Sequence, residues 1–242
     1  MEKLEADIVI VGTGASGLFA ALHVPNDKKV LMLTKSDAEN SDSFLAQGGI
    51  CVLRDKNDFD SFMEDTMKAG HYENRKEFVE IMINSSRDII NELIGYGVNF
   101  ATKDGELDYT REGAHSKPRI LFHEDITGKE ITSTLLDAVR KLENVTIMEY
   151  VTMTDIIEKD NVCYGVLAKD ANNNEMSIEA GYTIFACGGI GGLYDHSTNY
   201  PHLTGDAIAI AIQHGIKLEN VDYVQIHPTT LYTKKRGRAF LI

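Results

Sequence analysis

The sequence predicts an α/β fold in which a parallel sheet carries inserted helices and is followed by a small antiparallel β-meander. Residues 8–11 are a continuous apolar run, as in a parallel strand covered on both faces. Residues 18–22 have helical spacing, and residues 29–33 form a second apolar strand, which completes a β-α-β unit. From residue 144 onward, short β-like runs alternate with polar turns, which indicates the meander.

The first strand leads into a glycine-rich turn with the pattern GxGxxG. Gly12 permits the tight turn, Gly14 lets backbone amides approach a pyrophosphate, and Gly17 lets the following helix pack closely on the sheet. The N-terminus of that helix is suited to bind an anion. In this strand-turn-helix context the pattern predicts a bound dinucleotide; the alternative is a glycine-rich turn without a ligand.

The residues at the end of the second strand differ from those found in the usual dinucleotide-binding site. The fingerprint places an acidic residue for the ribose about twenty positions after the glycines, whereas this chain has Thr34 and Lys35. An ammonium group donates to ribose or phosphate oxygens but cannot accept a hydrogen bond from a hydroxyl. The substitution weakens the interpretation as a nicotinamide-dinucleotide site.

Helical spacing predicts three helices between the first β-α-β unit and the meander. Their capping and ending signals are Ser61 with Glu64, Asn74 with Glu77, Gly95 with Gly97, and Thr127 with Glu130. The meander is predicted from runs at residues 145–151, 155–157, 162–168, 176–178 and 182–186. Thr204 is then expected to cap a further helix over residues 206–214.

Composition excludes several classes of function. A chain of 242 residues with an ordinary apolar fraction can bury a real core, and its net charge of −13 argues against a nucleic-acid partner. The basic run at residues 234–238 is interpreted as a solvated loop. Cys51, Cys163 and Cys187 have neither disulfide-framework nor metal-site spacing, so we predict no metal and a reducing cytoplasm. Without a leader or a long apolar stretch, a soluble protein with no membrane contact is expected.

Four segments together resemble the flavoprotein family of succinate dehydrogenases, fumarate reductases and L-aspartate oxidases. They are GTGASG, SDSFLAQGG, ACGGIGG and TGDAIAIA, and they extend over most of the chain. The resemblance implies a Rossmann-like FAD-binding domain, although for the second glycine turn a flexible loop is the alternative. The residues it assigns to FAD are Gly12, Thr13, Gly14, Ala15, Ser16, Gly17, Lys35, Asp42, Ser43, Phe44, Leu45, Ala46, Gln47, Gly48, Gly49, Thr152, Gly188, Gly189 and Asp206.

Two segments place the chain within that family. Membrane-bound members attach the flavin covalently through a histidine, and the equivalent position here is Asp42, so the resemblance implies noncovalent FAD. The segment TREGAHS is similar to the TREGGHS of aspartate oxidases, with Ala114 in place of a glycine, which is expected to stiffen the loop. In that subfamily the carboxylate of this segment pairs with the substrate α-ammonium, a role that falls to Glu112.

The resemblance therefore implies that one charge, at Glu112, distinguishes an amino diacid from succinate. The alternative is a solvated loop glutamate. His227, in a segment that matches the family's HPTxLY, is expected to donate to a substrate carboxylate; taken alone, it is better explained as a structural histidine.

The resemblance implies oxidation of L-aspartate to iminoaspartate, with dioxygen or fumarate reoxidising the flavin. This reaction is the entry to quinolinate and NAD synthesis, so quinolinate synthase is a candidate partner. Two alternatives stay open: a soluble fumarate reductase or succinate oxidase of the same superfamily, and a noncatalytic FAD-binding fragment. Glu112 argues against the first.

The family comparison also predicts the domain boundaries. Residues 1–220 are expected to form the FAD-binding domain, without its C-terminal FAD-closing segment, and residues 221–242 to begin a truncated substrate-capping domain. The family's catalytic arginine is expected beyond Ile242, so no residue of this chain is assigned as catalytic. We therefore expect the chain alone to be an incomplete enzyme.

Overall fold

A computed structural model describes residues 1–227, 229–231 and 237–238. The chain divides into two compact units, which are described separately. Unit 1 comprises Met1–Ser43 and Leu136–Ile242, and unit 2 comprises Phe44–Leu135. In the described residues, no helix has the length and apolarity required to cross a bilayer.

The helices are α1 (Ala15–Leu22), α2 (Asp42–Leu45), α3 (Phe59–Ala69), α4 (Lys76–Tyr96), α5 (Thr127–Val139) and α6 (Asp206–Gln213), with short 3-10 helices at Lys56–Asp58 and Gly191–Leu193. The strands are β1 (Glu2–Val11), β2 (Val30–Leu33), β3 (Ile50–Cys51), β4 (Thr102–Lys103), β5 (Glu106–Leu107), β6 (Ile120–Leu121), β7 (Val145–Met148), β8 (Thr152–Lys159), β9 (Val162–Lys169), β10 (Glu175–Phe185), β11 (His196–Ser197) and β12 (Gly237–Arg238).

A six-stranded sheet with the order β7-β2-β1-β10-β9-β8 forms the centre of unit 1. The strands β7, β2, β1 and β10 run parallel, which confirms the predicted α/β class. All four residues of β2 are buried, as are the last three of β1, because these apolar runs are covered on both faces. The carboxyl ends of β1, β2 and β10 therefore meet at one edge of the sheet, where ligands bind in open α/β sheets.

The predicted antiparallel meander is present as three strands of this same sheet, and two of its predicted runs are placed differently. The runs at residues 176–178 and 182–186 are one strand, β10, which pairs antiparallel with β9 through its first half and parallel with β1 along its length. Residues 145–148 pair parallel with β2 instead of joining the antiparallel strands. Only β8, β9 and β10 form the antiparallel part. Spacing along the chain does not encode which strand lies beside which.

The hydrophobic core of unit 1 contains side chains from the parallel strands, from the antiparallel strands and from helix α6. It is lined by apolar side chains that include Val9, Val11, Leu33, Val166, Ile178 and Ile210. This continuity fixes the edge of the sheet against the start of α6. The same edge carries the glycine-rich turn.

Unit 2 contains α3 and α4, and both begin differently from the predictions. Ser61 lies inside α3, where its hydroxyl donates to the carboxylate of Asp58 at 2.8 Å, so it is not the first residue of a capping box. Helix α4 begins after Arg75, which makes no side-chain capping bond, and Asn74 instead contacts the carbonyl of Thr66 at the end of α3. Gly97 ends α4 as predicted, in a left-handed conformation.

Candidate functional site

The turn after β1 depends on two glycines for steric reasons. Gly12 has φ +118°, and a Cβ there would lie 2.1 Å from the carbonyl oxygen of Ala186. A Cβ on Gly17 would lie 2.1 Å from the carbonyl oxygen of Gly12. A side chain at Gly12 would push the end of β1 away from the end of β10, and a side chain at Gly17 would push α1 away from the turn. The two glycines thus set the close approach of β1, β10 and α1.

The start of α1 is open to an anion. Gly14 is the N-cap and supplies no side-chain cap, and the first turn carries no acidic residue. The Ala15 amide donates to the hydroxyl of Ser43 at 3.0 Å. The following amides of Ser16 and Gly17 are among those that a helix leaves without an intrahelical partner. Together with the helix dipole, they form a site for a phosphate group.

A pocket at this edge of the sheet gathers residues from distant parts of unit 1. Nine residues predicted to contact the cofactor line it: Gly12, Thr13, Gly14, Ser16, Lys35, Asp42, Ser43, Gly188 and Asp206. Four others do not line it: Ala15, Gly17, Thr152 and Gly189. Val151 and Met153 on either side of Thr152 line the pocket instead, as expected where side chains alternate.

Lys35 reaches from the end of β2 to the start of α6. Its Nζ lies 2.8 Å from Oδ2 of Asp206 and 2.8 Å from Oγ1 of Thr204. The Thr204 hydroxyl donates to Oδ1 of Asp206 at 2.6 Å, and the N-cap of α6 is Gly205, not Thr204 as predicted. The ion pair between Lys35 and Asp206 is partly exposed. The lysine can therefore exchange its protein partners for ligand oxygens at a moderate cost in free energy.

The Asp42 side chain connects the segment after β2 to residues 199–200. One carboxylate oxygen accepts from the side-chain amide of Asn199, and the other accepts from the backbone amide of Tyr200 at 2.9 Å. Beside it, the Ser41 hydroxyl is buried and has no hydrogen-bond partner within the described part of the chain. A buried polar group without a partner is uncommon, and here it lines the pocket. This unpaired hydroxyl fits a polar ligand at this position.

Sequence reasoning missed Cys187 and His202, which also line the pocket. Burial raises the pKa of the Cys187 thiol to about 11, and the nearby Asp206 carboxylate adds to the shift. Burial lowers the pKa of His202, whose Nε2 donates to the carbonyl of Asn40 at 3.0 Å. The thiol is therefore protonated at neutral pH, and the imidazole is uncharged.

The remaining predicted flavin-loop residues, Phe44 to Gly49, lie in unit 2 together with Glu112. A Cβ added at Gly48 would lie 3.3 Å from Oε2 of Glu112, so this carboxylate lies against the predicted loop. Glu112 is exposed. No side-chain hydrogen bond or ion pair engages its carboxylate among the residues that the structure describes.

The segment that carries Glu112 is anchored by a buried ion cluster. Oδ2 of Asp65 accepts from the backbone amide and the hydroxyl of Ser116, each at 2.7 Å, and from Nη1 of Arg119 at 2.5 Å. Arg119 is fully buried and also donates to Asp58. Burial by itself raises the pKa of Asp65, but the bonds from Ser116 and Arg119 outweigh burial and hold it at about 2. Arg119 thus anchors the segment through its bonds to Asp58 and Asp65.

His227 is exposed, and its Nδ1 lies 3.0 Å from the carbonyl oxygen and 3.3 Å from the backbone amide nitrogen of Thr229. Pro228 and Tyr232 of the same predicted segment lie outside the described residues. The role of His227 in binding a substrate carboxylate stays a prediction.

Comparisons with known proteins agree with this geometry. The family model described as "FAD binding domain" matches residues 7–242. The chain is 44% identical over 241 residues to an L-aspartate oxidase of Clostridium perfringens, a match that covers 99% of this chain and 55% of that protein. The chain therefore spans about half the length of the curated relatives it matches.

Solved structures of fumarate reductases share the fold. A variant of E. coli quinol fumarate reductase FrdA matches with a TM-score of 0.83 and 25% identity, over 88% of this chain and 38% of that one. The open conformation of a flavocytochrome c3 fumarate reductase matches with a TM-score of 0.86 and 23% identity, over 99% of this chain and 45% of that one. The glycine-rich turn, the pocket at the sheet edge and the match over residues 7–242 lead to one conclusion: the chain belongs to the FAD-binding domain family of flavoproteins.

Proposed function

We propose that this chain holds FAD noncovalently in the unit 1 pocket and serves the oxidation of L-aspartate to iminoaspartate. The FAD-binding family supports the cofactor, and 44% identity to an L-aspartate oxidase supports the substrate. We further propose residues 1–220 as the FAD-binding domain and residues 221–242 as the start of a substrate-capping domain. The observation that carries the proposal is the pocket at the start of α1, which presents helix amides, a lysine and an unpaired buried hydroxyl.

The amides at the start of α1 would bind the FAD diphosphate, because the glycines keep side chains out of the way. Lys35 would donate to ribose or phosphate oxygens, and Thr13, Ser16 and Gly188 line the same cavity. The predicted contacts from Ala15, Gly17, Thr152 and Gly189 would then come from backbone groups. When bound, FAD accepts a hydride from the substrate carbon, while the protein supplies orientation and charge.

Noncovalent binding is supported by the state of three groups in the pocket. Both oxygens of Asp42 are engaged by Asn199 and Tyr200. The Cys187 thiol is held protonated. The Nε2 atom of His202 is engaged by the carbonyl of Asn40. The Asp42 oxygens, the Cys187 sulfur and the Nε2 atom of His202 are therefore not poised as nucleophiles toward a flavin.

The Glu112 carboxylate would bind the α-ammonium of aspartate. It lies beside Gly48 and is anchored from the other end of its segment through Ser116 and Asp65. No described residue engages this carboxylate through a hydrogen bond or an ion pair, which leaves it available to a ligand cation. Succinate lacks that cation, so this single charge would distinguish the two diacids. His227 would donate to a substrate carboxylate.

The electron acceptor and the partners are proposed on the same basis. Fumarate reductases share this fold, which favours fumarate as one acceptor, and dioxygen is the other. Iminoaspartate is reactive, so we propose quinolinate synthase as the protein that consumes it, in the cytoplasm, at the first step of NAD synthesis. No catalytic base or catalytic arginine is assigned within this chain.

The test uses the complete product of the gene, loaded with FAD, and its Glu112→Gln variant. Binding of L-aspartate and of succinate is measured under anaerobic conditions through the absorbance of the bound flavin. Loss of the charged contact should weaken aspartate binding by about tenfold or more, because a hydrogen bond to a charged group contributes about 1.5–3 kcal/mol. Succinate binding should not change.

The exposed Glu106→Gln variant in the same unit serves as the matched control and should leave both affinities unchanged. Equal losses for aspartate and succinate in Glu112→Gln would remove the ammonium contact. Reduction of the flavin by succinate but not by aspartate would instead establish the alternative, a fumarate reductase or succinate oxidase.

A further inference from the structure

We infer that the Asp42 carboxylate is a clasp that retains the cofactor, by tying residues 40–43 to residues 197–206 across the pocket of unit 1. The inference rests on the proposed binding of FAD in that pocket. It assigns to Asp42 a role in the rate of cofactor release, which differs from direct contact with the flavin.

Both oxygens of Asp42 are used in the connection. Asn199 donates its side-chain amide to one oxygen, and Tyr200 donates its backbone amide to the other at 2.9 Å. The Asn199 side chain is held in turn, because its carbonyl oxygen accepts from the Ser197 hydroxyl at 3.2 Å. The acceptor and the donors therefore meet with fixed geometry.

A second contact joins the same two segments. Nε2 of His202 donates to the carbonyl of Asn40 at 3.0 Å, and its ring stacks on the ring of Tyr200 with centroids 5.1 Å apart. Two neighbouring contacts, one at Asp42 and one at Asn40, thus bind residues 40–43 to residues 199–202. The three contacts between these segments are hydrogen bonds, which can open and close without a change in covalent structure.

The position of the clasp connects it to ligand release. Ser43, next to Asp42, accepts from the Ala15 amide at the start of α1 at 3.0 Å, and Ser41 on its other side has the unpaired buried hydroxyl. Residues 40–43 and 202–206 both line the pocket. Movement of either segment would widen the exit for a diphosphate bound at the α1 amides. Release should therefore become faster when the bonds between them are lost.

The test uses the complete product of the gene, loaded with FAD, and measures FAD release by the gain of activity of a competing apoflavoprotein that is present in excess and captures each released FAD. Asn199→Asp places two carboxylates against each other, and we expect the release rate to rise at least about tenfold. Asn199→Ala removes one hydrogen bond without adding charge, and we expect a rise of about three- to tenfold. The association rate should not fall in either variant, because an opened pocket admits the ligand freely, whereas a misfolded one would not.

The double variant Asp42→Asn with Asn199→Asp exchanges the amide and the acid. The amide at position 42 can donate to the carboxylate at position 199, and its carbonyl can still accept from Tyr200. We expect the release rate to return to within about threefold of the original rate, as coupling between residues in contact predicts. Glu39→Gln, in the same loop but outside the pocket lining, is the matched control and should leave release unchanged.

Wild-type rates in both Asn199 variants would overturn the clasp, and so would a double variant as fast as Asn199→Asp alone. If the complete, unaltered protein binds no FAD at all, the proposed function fails, and the clasp fails with it. Binding of FAD by the complete, unaltered protein together with variant-independent release rejects the clasp and leaves the proposed function intact.

Discussion

At the scale of single residues, the atoms around each glycine decide whether the fold requires a glycine at that position. Gly12 and Gly17 lie where a methyl group would meet backbone carbonyls, whereas Gly189 has open space around it. All three glycines belong to segments that resemble cofactor-binding turns. The first two are needed by the fold itself, because they let α1 and β10 approach the end of β1.

This difference predicts a large loss of stability for one substitution to alanine and almost none for another. Gly12→Ala should lower the free energy of unfolding by at least about 2 kcal/mol, because the added Cβ would meet Ala186 backbone and the residue has a positive φ. Gly189→Ala should change it by less than about 0.5 kcal/mol. Urea denaturation checks both values, and equal losses would contradict the steric argument.

The buried ion cluster predicts a pH dependence of stability. The pKa of Asp65 in the folded state is about 2, below its unfolded value of about 3.9. Ionised Asp65 therefore stabilises the fold above the unfolded pKa, by about 2 kcal/mol, and this contribution is lost as the pH falls toward the folded pKa, with about half of it gone by pH ~3.

Asp65→Asn should accordingly be less stable than the unaltered chain at neutral pH, and the difference should narrow as the pH falls from about 5 to about 3. Urea denaturation at several pH values measures this difference. Asp60→Asn, at an exposed position of the same helix, is the control. A difference that stays constant with pH would show that Asp65 does not act through its charge.

At the scale of secondary-structure elements, local signals predicted where most helices and strands lie but not all of their ends. Helix α3 begins at Phe59 because Asp58 is held by Arg119, and the serine of the expected capping box turns back to that aspartate. The partner that decides this start lies 61 residues away along the chain. Gly97, by contrast, ends α4 through its own backbone conformation, which the sequence does signal.

Near the end of α4, two glycine-to-alanine substitutions should change the free energy of unfolding in opposite directions. Gly97→Ala should destabilise the chain by about 1 kcal/mol, because φ is +108° and alanine is strained there. Gly95→Ala lies inside the helix in open space and should stabilise the chain by about 0.5–1 kcal/mol. Thermal or urea unfolding measures both; the same sign for the two variants would contradict this description of the helix end.

At the scale of the whole molecule, the cofactor is expected to stabilise the unit that binds it. Saturation with FAD at about 100 times its Kd should raise the free energy of unfolding by about 2.7 kcal/mol. Riboflavin, which lacks the diphosphate and the adenosine, should give little stabilisation if the α1 amides supply most of the binding free energy. Equal stabilisation by both compounds in a thermal unfolding assay would place the main contacts elsewhere.

The sequence by itself determined the strand, the glycine turn, the helix after it and the family, because apolar periodicity, glycine and short motifs act over a few neighbouring residues. Only the tertiary structure decided that the expected meander is part of the central sheet, that Lys35 pairs with Asp206, and that Asp42 is bound to Asn199. Those partners are 171 and 157 residues apart along the chain. Their contacts depend on how the chain returns to the same edge of the sheet, which no local pattern encodes.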